Sequence, residues 1–282
     1  MSACTSVAVI GLGLIGGSLS RDLAARGIRV RAYDADAEHL ASALRDGVVH
    51  EALDATLAGV AGADVIVIAV PVDAAVEILS RLEPFARDVR LITDVGSTKA
   101  RIVATASEVG LGDRFVGSHP MAGGHQSGWD ASRAGLFGDA PVYLCPTPSS
   151  NETARALARE FWRDVGGRPI CMDADRHDGQ LAWTSHLPHI LSTALALTLA
   201  DANICRADLG PGGRDVTRLA GSSADVWTAI AHDNAAAIDG ALAAAEVGIA
   251  AFRRALARND AAALHERFSA ARIWFDDSSR AS

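Results

Sequence analysis

Apolar residues in the first 172 positions follow two alternating patterns. Short runs such as residues 7–10 and 65–70 are apolar at nearly every position, whereas stretches such as residues 14–26 place apolar residues at helical spacing. Continuous apolar strands arise where helices cover both faces of a sheet. The pattern therefore predicts an α/β fold of the Rossmann type, with a doubly wound and mostly parallel sheet.

The predicted strands and helices alternate along this part of the chain. Strands are expected at residues 7–10, 28–33, 65–70, 90–93, 115–118, 141–144 and 168–172, and helices at 14–26, 35–45, 73–82 and 151–165. Between residues 115 and 145 the alternation loosens into a glycine-rich stretch. A long irregular segment inside a compact domain is more often functional than accidental, so this stretch is a candidate for part of a site.

From about residue 173 the pattern is helical only. Residues 177–200, 224–257 and 261–274 are rich in Ala and Leu at helical spacing. We expect an all-α domain over residues 173–282, after an α/β domain over residues 1–172. Residues 187–199 are apolar on nearly every face, which suits a core or a subunit interface. A homodimer formed through the helical half is therefore predicted.

Composition narrows the classes of function. Hydrophobic residues make up 49% and charged residues 21% of the 282 positions, which predicts a soluble globular chain without a long apolar span or a membrane partner. The formal charge of −8 argues against a nucleic-acid partner. The 4 cysteines form no CxxC pair, so we expect reduced thiols, no metal site and a cytoplasmic location. No export signal is expected, because residues 7–10 run straight into glycines.

A GxGxxG motif follows the first predicted strand. Its glycines are Gly11, Gly13 and Gly16. Leu14 and Ile15, which lie between Gly13 and Gly16, begin the predicted helix. Such glycines allow a tight turn, a close approach of a pyrophosphate and close packing of helix on strand. The helix N-terminus then faces the phosphates. These five residues are therefore predicted to bind a dinucleotide.

An acidic residue ends the second predicted strand, where a dinucleotide's adenosine ribose would lie. Asp34 at that point accepts hydrogen bonds from ribose hydroxyls and repels a 2′-phosphate, which favours NAD over NADP. The nearby Arg31 favours NADP instead, because an arginine at this edge accommodates a 2′-phosphate. Val70 and Pro71, at the end of the third predicted strand, are placed beside the cofactor by topology, because ligands of open sheets bind at the carboxyl ends of strands. The competing interpretation is that the glycines serve packing and that Asp34 is a solvated turn residue.

Candidate catalytic groups follow strand ends or lie in the helical half. A hydride-transfer site needs a group that takes the hydroxyl proton and a cation that holds a substrate carboxylate. His119 and Arg218 fit these needs, and Ser97 lies at the ligand edge of the sheet. Each has a structural alternative: Ser97 as a helix N-cap, His119 as a buried imidazole, and Arg218 as a surface charge paired with an aspartate.

The sequence resembles the prephenate/arogenate dehydrogenase family over nearly its whole length. The motifs that carry the resemblance are GLGLIGGS at 11–18, DVGSTK at 94–99, GSHPMAGG at 117–124, SHLPH at 185–189 and GGRDVTRLA at 212–220, followed by Trp227. By this resemblance His119 hydrogen-bonds the ring hydroxyl, Ser97 supports that histidine, and Arg218 grips the carboxylate. His189 lines the substrate pocket. The residues placed near the site by resemblance alone are His186 and Trp227.

The resemblance implies an NAD-dependent oxidative decarboxylation in tyrosine biosynthesis. Hydride leaves the ring carbon that bears the hydroxyl, and the ring becomes aromatic as the carboxylate departs as carbon dioxide. Many relatives carry an acid shortly after HPMAG, where this chain has Gly124, His125 and Gln126. An acid there would pair with the ammonium of arogenate, so its absence favours prephenate, although Asp130 is a candidate for the same role.

Two rival functions stay open at this point. A β-hydroxyacid dehydrogenase or imine reductase would place a lysine in the helical half, but the chain has no lysine besides Lys99. A non-catalytic NAD-binding dimer that acts as a sensor would not need His119, Ser97 and Arg218 to converge. Arogenate dehydrogenase remains the alternative within the family.

Overall fold

The computed structural model describes residues 4–124 and 126–278. Contacts divide the chain into two compact units, Met1–Ala235 and Ala236–Ser282. The predicted division near residue 172 falls inside the first unit, between its last strand and the helix that follows. His125, one of the residues used above to favour prephenate, lies outside the described residues.

A five-stranded parallel sheet forms the first part of the first unit. Its strands are β1 (Ser6–Ile10), β2 (Arg29–Tyr33), β3 (Glu51–Ala52), β4 (Val65–Ile68) and β5 (Leu91–Asp94), in the order β3-β2-β1-β4-β5. Three helices lie between these strands along the chain, α1 (Leu14–Ala24), α2 (Ala37–Arg45) and α3 (Val72–Leu82), and α4 (Ala100–Glu108) follows β5. The two central strands β1 and β4 are almost wholly buried, as expected for a sheet covered on both faces. The predicted Rossmann-type fold is confirmed.

A second sheet of three strands continues the unit. It consists of β6 (Val116–Pro120), β7 (Pro141–Pro146) and β8 (Arg168–Cys171), with α5 (Glu152–Asp164) before β8. A bridge between Ile92 and Phe115 joins the two sheets. Strands β6 and β7 pair antiparallel, which departs from the parallel pattern. The reason is their connection, whose described residues form a short 3-10 turn and no crossover helix of the kind that a parallel pair needs.

Helices complete the first unit. They are α6 (Ala174–Leu181), a π-helical turn (Ala182–His186), α7 (Leu187–Asp201), α8 (Pro211–Val216) and α9 (Ala224–Asp233). The predicted helix over residues 224–257 is interrupted at Asn234, whose buried side-chain amide donates to the carbonyl of Asp178 at 2.8 Å. Asp178 in turn accepts from the backbone N–H groups of Lys99 and Ala100, so α6 and α9 are fastened to the start of α4.

Two long helices, α10 (Ala235–Ala257) and α11 (Ala261–Ser278), form the second unit. Phe252 and Phe268 contact each other at 5.4 Å between ring centroids. Large apolar side chains on both helices are solvent-exposed, among them Trp274 at 72%. By length and composition alone, α10 is long and apolar enough to cross a membrane, the one exception among the described residues to the expectation of no long apolar span.

Candidate active site

The glycine turn after β1 builds an open cradle at the N-terminus of α1. Gly11 has φ +98°, and a Cβ there would lie 2.3 Å from the carbonyl oxygen of Ala69. A Cβ on Gly16 would lie 2.0 Å from the carbonyl oxygen of Gly11, so this helix packs directly on the turn. Gly13 has no atom within 4 Å of its Cβ position, and it caps α1 without a side chain. The turn therefore leaves space and backbone donors for a phosphate group.

Asp34 lies just beyond β2 at the same edge of the sheet. One of its carboxylate oxygens accepts from the N–H of Leu12 at 2.5 Å and the other from the N–H of Asp36 at 2.8 Å. Arg31 points away from this edge, because its guanidinium donates to the carbonyls of Gly59 and Ala61. Arg31 is therefore not placed to bind the 2′-phosphate of NADP.

The remaining predicted cofactor residues lie on two sides of this cradle. Leu14 and Ile15 form the first turn of α1 and are half-buried. Val70 and Pro71 link β4 to α3, with Pro71 at the N-cap and exposed. A Cβ on Gly11 would touch Val70 at 2.8 Å, so the end of β4 borders the glycine turn.

A buried ion pair supports the loop that carries Ser97. Lys99, fully buried, donates to the carboxylate of Asp94 and, at 3.0 Å, to the carbonyl of Ser118. Asp94 also accepts from the backbone N–H groups of Gly96 and Ser118. One lysine and one aspartate thus tie the end of β5 to β6, one residue before His119.

His119 begins a chain of buried polar groups. Its Nδ1 lies 2.9 Å from Nε2 of His177, and Nδ1 of His177 lies 2.7 Å from a carboxylate oxygen of Asp178. The same carboxylate accepts from the N–H groups of Lys99 and Ala100 at 2.8 Å each, at the start of α4. His177 is fully buried, and His119 is 9% exposed. These contacts join residues that are 58 and 79 positions apart in sequence.

Burial controls the protonation of this chain. It lowers the pKa of His119 well below its ordinary value, helped by the charges of His177, Lys99 and His186. Burial opposes ionisation of Asp178, yet hydrogen bonds from His177 and from the amides of Ala100 and Lys99 outweigh it and lower the pKa of that carboxyl. His119 is therefore a neutral imidazole at neutral pH, next to a histidine that is bonded to a carboxylate.

A cavity of about 1210 Å³ opens beside His119 within the first unit. Five of the six predicted catalytic and substrate residues line it, namely Ser97, His119, His189, Arg218 and Trp227. Arg206 also lines it, on the 3-10 turn after α7. No Asp or Glu is among the described lining residues, and Asp130 is not part of the wall. The described part of the wall thus presents two guanidinium groups and no carboxylate.

One wall of the cavity is a stacked pair of rings. His189 lies parallel to the ring of Trp227, with 3.7 Å between centroids and 22° between planes. Nδ1 of His189 donates to the carbonyl of Ser185 at 3.0 Å, so its Nε2 is the acceptor nitrogen. Burial lowers the pKa of His189. This ring is therefore a neutral acceptor at the cavity wall.

His186 is not brought to the cavity with the other predicted residues. It is buried behind the stacked pair, where its Nδ1 lies 3.2 Å from the side-chain amide of Asn234. Burial lowers the pKa of His186 to about 4. Its position supports Trp227 from behind, with 5.9 Å between the two ring centroids.

The groups that hold His119, and the second arginine of the cavity, were not predicted from the sequence. These are Asp94, Lys99, His177, Asp178, Arg206 and Asn234. Two signals for them were available: Lys99 is the chain's single lysine, and His177 and Asp178 are adjacent polar residues at the start of a largely apolar helical stretch. Neither signal says which residues meet in space.

Two family models match successive parts of the chain. Residues 19–171 match the nucleotide-binding domain of prephenate dehydrogenase, and residues 173–270 match its dimerization domain. Together these matches leave out residues 1–18, residue 172 and residues 271–282.

The chain is also similar to individual cyclohexadienyl and prephenate dehydrogenases. The chain is 34% identical to a cyclohexadienyl dehydrogenase of Zymomonas mobilis over 95% of this chain and 94% of the relative. It is 33% identical to a prephenate dehydrogenase of Bacillus subtilis over 81% of this chain, and it spans 64% of that longer relative. The crystal structure of Aquifex aeolicus prephenate dehydrogenase with hydroxyphenyl propionate and NAD+ superposes with a TM-score of 0.89, at 28% identity and 98% coverage of both chains.

Proposed function

Since the chain belongs to the prephenate dehydrogenase family, we propose that it converts prephenate to 4-hydroxyphenylpyruvate by NAD-dependent oxidative decarboxylation. The observation that carries this proposal is one cavity that brings together a neutral imidazole, His119, with Ser97 and the guanidinium of Arg218. The reaction needs a proton acceptor at the ring hydroxyl and a cation for a carboxylate. This assignment would place the enzyme in tyrosine biosynthesis.

The residues around the glycine turn fit a nicotinamide dinucleotide. Gly13 leaves room beside the α1 N-terminus, and Asp34 provides a carboxylate for ribose hydroxyls while Arg31 is engaged elsewhere. Leu14, Ile15, Val70 and Pro71 border this space, and we assign them with the three glycines of the motif to the cofactor site. The bound cofactor supplies the acceptor for hydride. Ser97 lies between this cradle and the cavity in our assignment.

The chain's own residues handle the proton and the carboxylate. We infer that Nε2 of His119 accepts the proton of the C4 hydroxyl as hydride leaves C4, with Ser97 bonded to the same hydroxyl. The electrons of the breaking C1–carboxylate bond enter the ring, which becomes aromatic as carbon dioxide is released, and the proton on His119 then returns to the ring oxygen to give 4-hydroxyphenylpyruvate. Arg218 holds a carboxylate and orients the ring, while His189 and Trp227 form the wall against which it lies.

The cavity lining favours prephenate over arogenate. The two substrates share both carboxylates, but arogenate carries an ammonium group where prephenate has a ketone. The described wall offers Arg206 and Arg218 to carboxylates and offers an ammonium no carboxylate partner. An ammonium desolvated beside two guanidinium groups is unfavourable. We therefore propose prephenate as the better substrate.

The organisation of the protein is part of the proposal. We assign residues 1–172 to dinucleotide binding and residues 173–282 to substrate binding and dimerisation, supported by family models that meet at residues 171 and 173. The exposed apolar side chains of α10 and α11 support a homodimer. We propose a cytoplasmic enzyme that takes a small-molecule substrate and no nucleic acid or membrane.

The test is an assay of NADH formation with the purified protein. Prephenate, arogenate and a 3-hydroxy acid are supplied separately with NAD or NADP. We expect the highest kcat/KM with prephenate and NAD. Higher kcat/KM with arogenate would reverse the substrate assignment, and no turnover of either cyclohexadienyl substrate would favour a non-catalytic NAD-binding protein.

A further inference from the structure

The buried chain from His119 to Asp178 determines which ring nitrogen of His119 carries a proton. Asp178 is ionised and accepts from Nδ1 of His177 across 2.7 Å. With the proton of His177 placed on Nδ1, its Nε2 is the acceptor nitrogen. That acceptor lies 2.9 Å from Nδ1 of His119, which must therefore donate. The remaining nitrogen of His119, Nε2, is then free of a proton.

The ionised state of Asp178 has its own support in the fold. Both of its oxygens accept backbone N–H groups at the start of α4, from Lys99 and Ala100. Its backbone carbonyl is held by the amide of Asn234, which keeps the side chain in place. The orientation of His177 and, through it, the tautomer of His119 thus depend on the N-terminus of a helix in the sheet half.

We propose that His177 and Asp178 are positioning residues that hold His119 as the Nδ1–H tautomer, with Nε2 ready to accept the substrate's hydroxyl proton. The inference rests on the proposed function. When His119 takes that proton it becomes a cation, and the hydrogen bond to His177 lets Asp178 stabilise the new charge. Lys99 and His186 also lower the pKa of His119 and so oppose its protonation.

The decisive variant is Asp178→Asn. Asparagine carries no negative charge to stabilise a protonated His119, and its NH₂ group replaces one of the two oxygens that accept from Lys99, Ala100 and His177, so the tautomer of His119 is no longer fixed. In serine proteases the corresponding exchange lowers turnover by about 10⁴-fold. We expect kcat with prephenate to fall by about 10²- to 10⁴-fold while the KM values for prephenate and NAD stay within about threefold. Asp175→Asn, an exposed change on the same helix, is the matched control and should leave both values unchanged.

The tautomer is read directly in protein labelled with ¹⁵N-histidine, without substrate. Two-bond ¹H–¹⁵N correlation spectra, assigned with His119→Asn, should show Nδ1–H for His119 in the wild type and a mixture of both tautomers in Asp178→Asn. Because this readout needs no turnover, it stands even if prephenate proves not to be the substrate. Nε2–H in the wild type would overturn the inference.

A second variant keeps the test decisive if Asp178→Asn does not fold. His177→Leu leaves Asp178 on the α4 amides but removes the acceptor for Nδ1 of His119, so both tautomers become populated. We expect kcat to fall by about tenfold or more with little change in KM, and the histidine spectrum to show a mixture. Wild-type kcat in this variant, or an unchanged Nδ1–H signal, would also overturn the inference.

Discussion

The two sides of the cavity differ in the burial and the bonding of their side chains. On one side, which we call the buried network (Asp94, Lys99, His119, His177 and Asp178), every side chain is buried and bonded to another group of the protein. On the other side, the arginine rim (Arg206 and Arg218), the side chains are exposed and make no ion pair within the described residues. The network fixes its proton positions before substrate arrives, whereas the rim keeps its charges free for a ligand. We therefore expect changes in the network to affect kcat or stability and changes in the rim to affect KM.

The largest effect should come from the residue where the network meets the cavity. His119→Asn removes the proton acceptor, so we expect kcat with prephenate to fall by about 10²- to 10⁴-fold. The Kd for NAD, measured by fluorescence or calorimetry, should stay within about twofold, because the glycine turn is untouched. A folded variant that no longer binds NAD would show that His119 belongs to the cofactor site instead.

The ion pair of the network should be the next most sensitive. Lys99→Met leaves the carboxylate of Asp94 buried without its cation, which typically costs about 3–5 kcal/mol of unfolding free energy. Arg29→Met breaks the exposed pair with Glu51, whose side chains are 63% and 42% accessible, and should cost less than about 1 kcal/mol. Urea denaturation measures both values, and similar losses in the two variants would contradict the division into a buried and an open side.

Substitutions in the arginine rim should change KM for prephenate. Arg218→Gln removes a charge-assisted hydrogen bond to a carboxylate, worth about 1.5–3 kcal/mol, so KM for prephenate should rise by about 10- to 150-fold. Arg206→Gln should raise it in the same direction and reduce the preference for prephenate over arogenate. The control is Arg87→Gln, an exposed arginine that does not line the cavity. A fall in kcat at constant KM would place these arginines with the network.

The smallest effect is the pH dependence set by burial. His119 must be unprotonated to accept a proton, and burial lowers its pKa, so the active form persists as the pH falls below the ordinary histidine range. We expect log kcat/KM for prephenate to stay level down to about pH 6.5 and to fall with unit slope only below it. Initial rates with enzyme-free blanks at each pH test this. A midpoint above about 6.5 would mean that the network raises rather than lowers the pKa of His119.

Periodicity and motifs were sufficient to predict the sheet half. Buried strands such as residues 65–68 are apolar at every position, and the order of strand, glycine turn and helix at residues 6–24 is local in sequence. The same reasoning could not predict that β6 and β7 pair antiparallel. That pairing depends on how the segment between residues 121 and 140 folds, and this segment has no period.

The groups that hold His119 were beyond sequence reasoning for a different reason. His177 meets His119 across 58 positions, and Asp178 meets the start of α4 across 79, whereas hydrophobic spacing reports only neighbours within one element. The break at Asn234 was missed for the same reason: no glycine or proline marks it, and its cause is a hydrogen bond to Asp178. The motif residues could be placed in one site, but the network behind them could not.

The burial of Lys99 has a practical consequence for protein chemistry. It is the chain's single lysine and is fully buried, so the folded protein offers amine-reactive reagents no lysine side chain at its surface. Acylating labels, amine cross-linkers and coupling to activated resins would be confined to the α-amino group while the fold is intact. Acylation of Lys99 thus becomes a marker of unfolding, readable by peptide mass spectrometry.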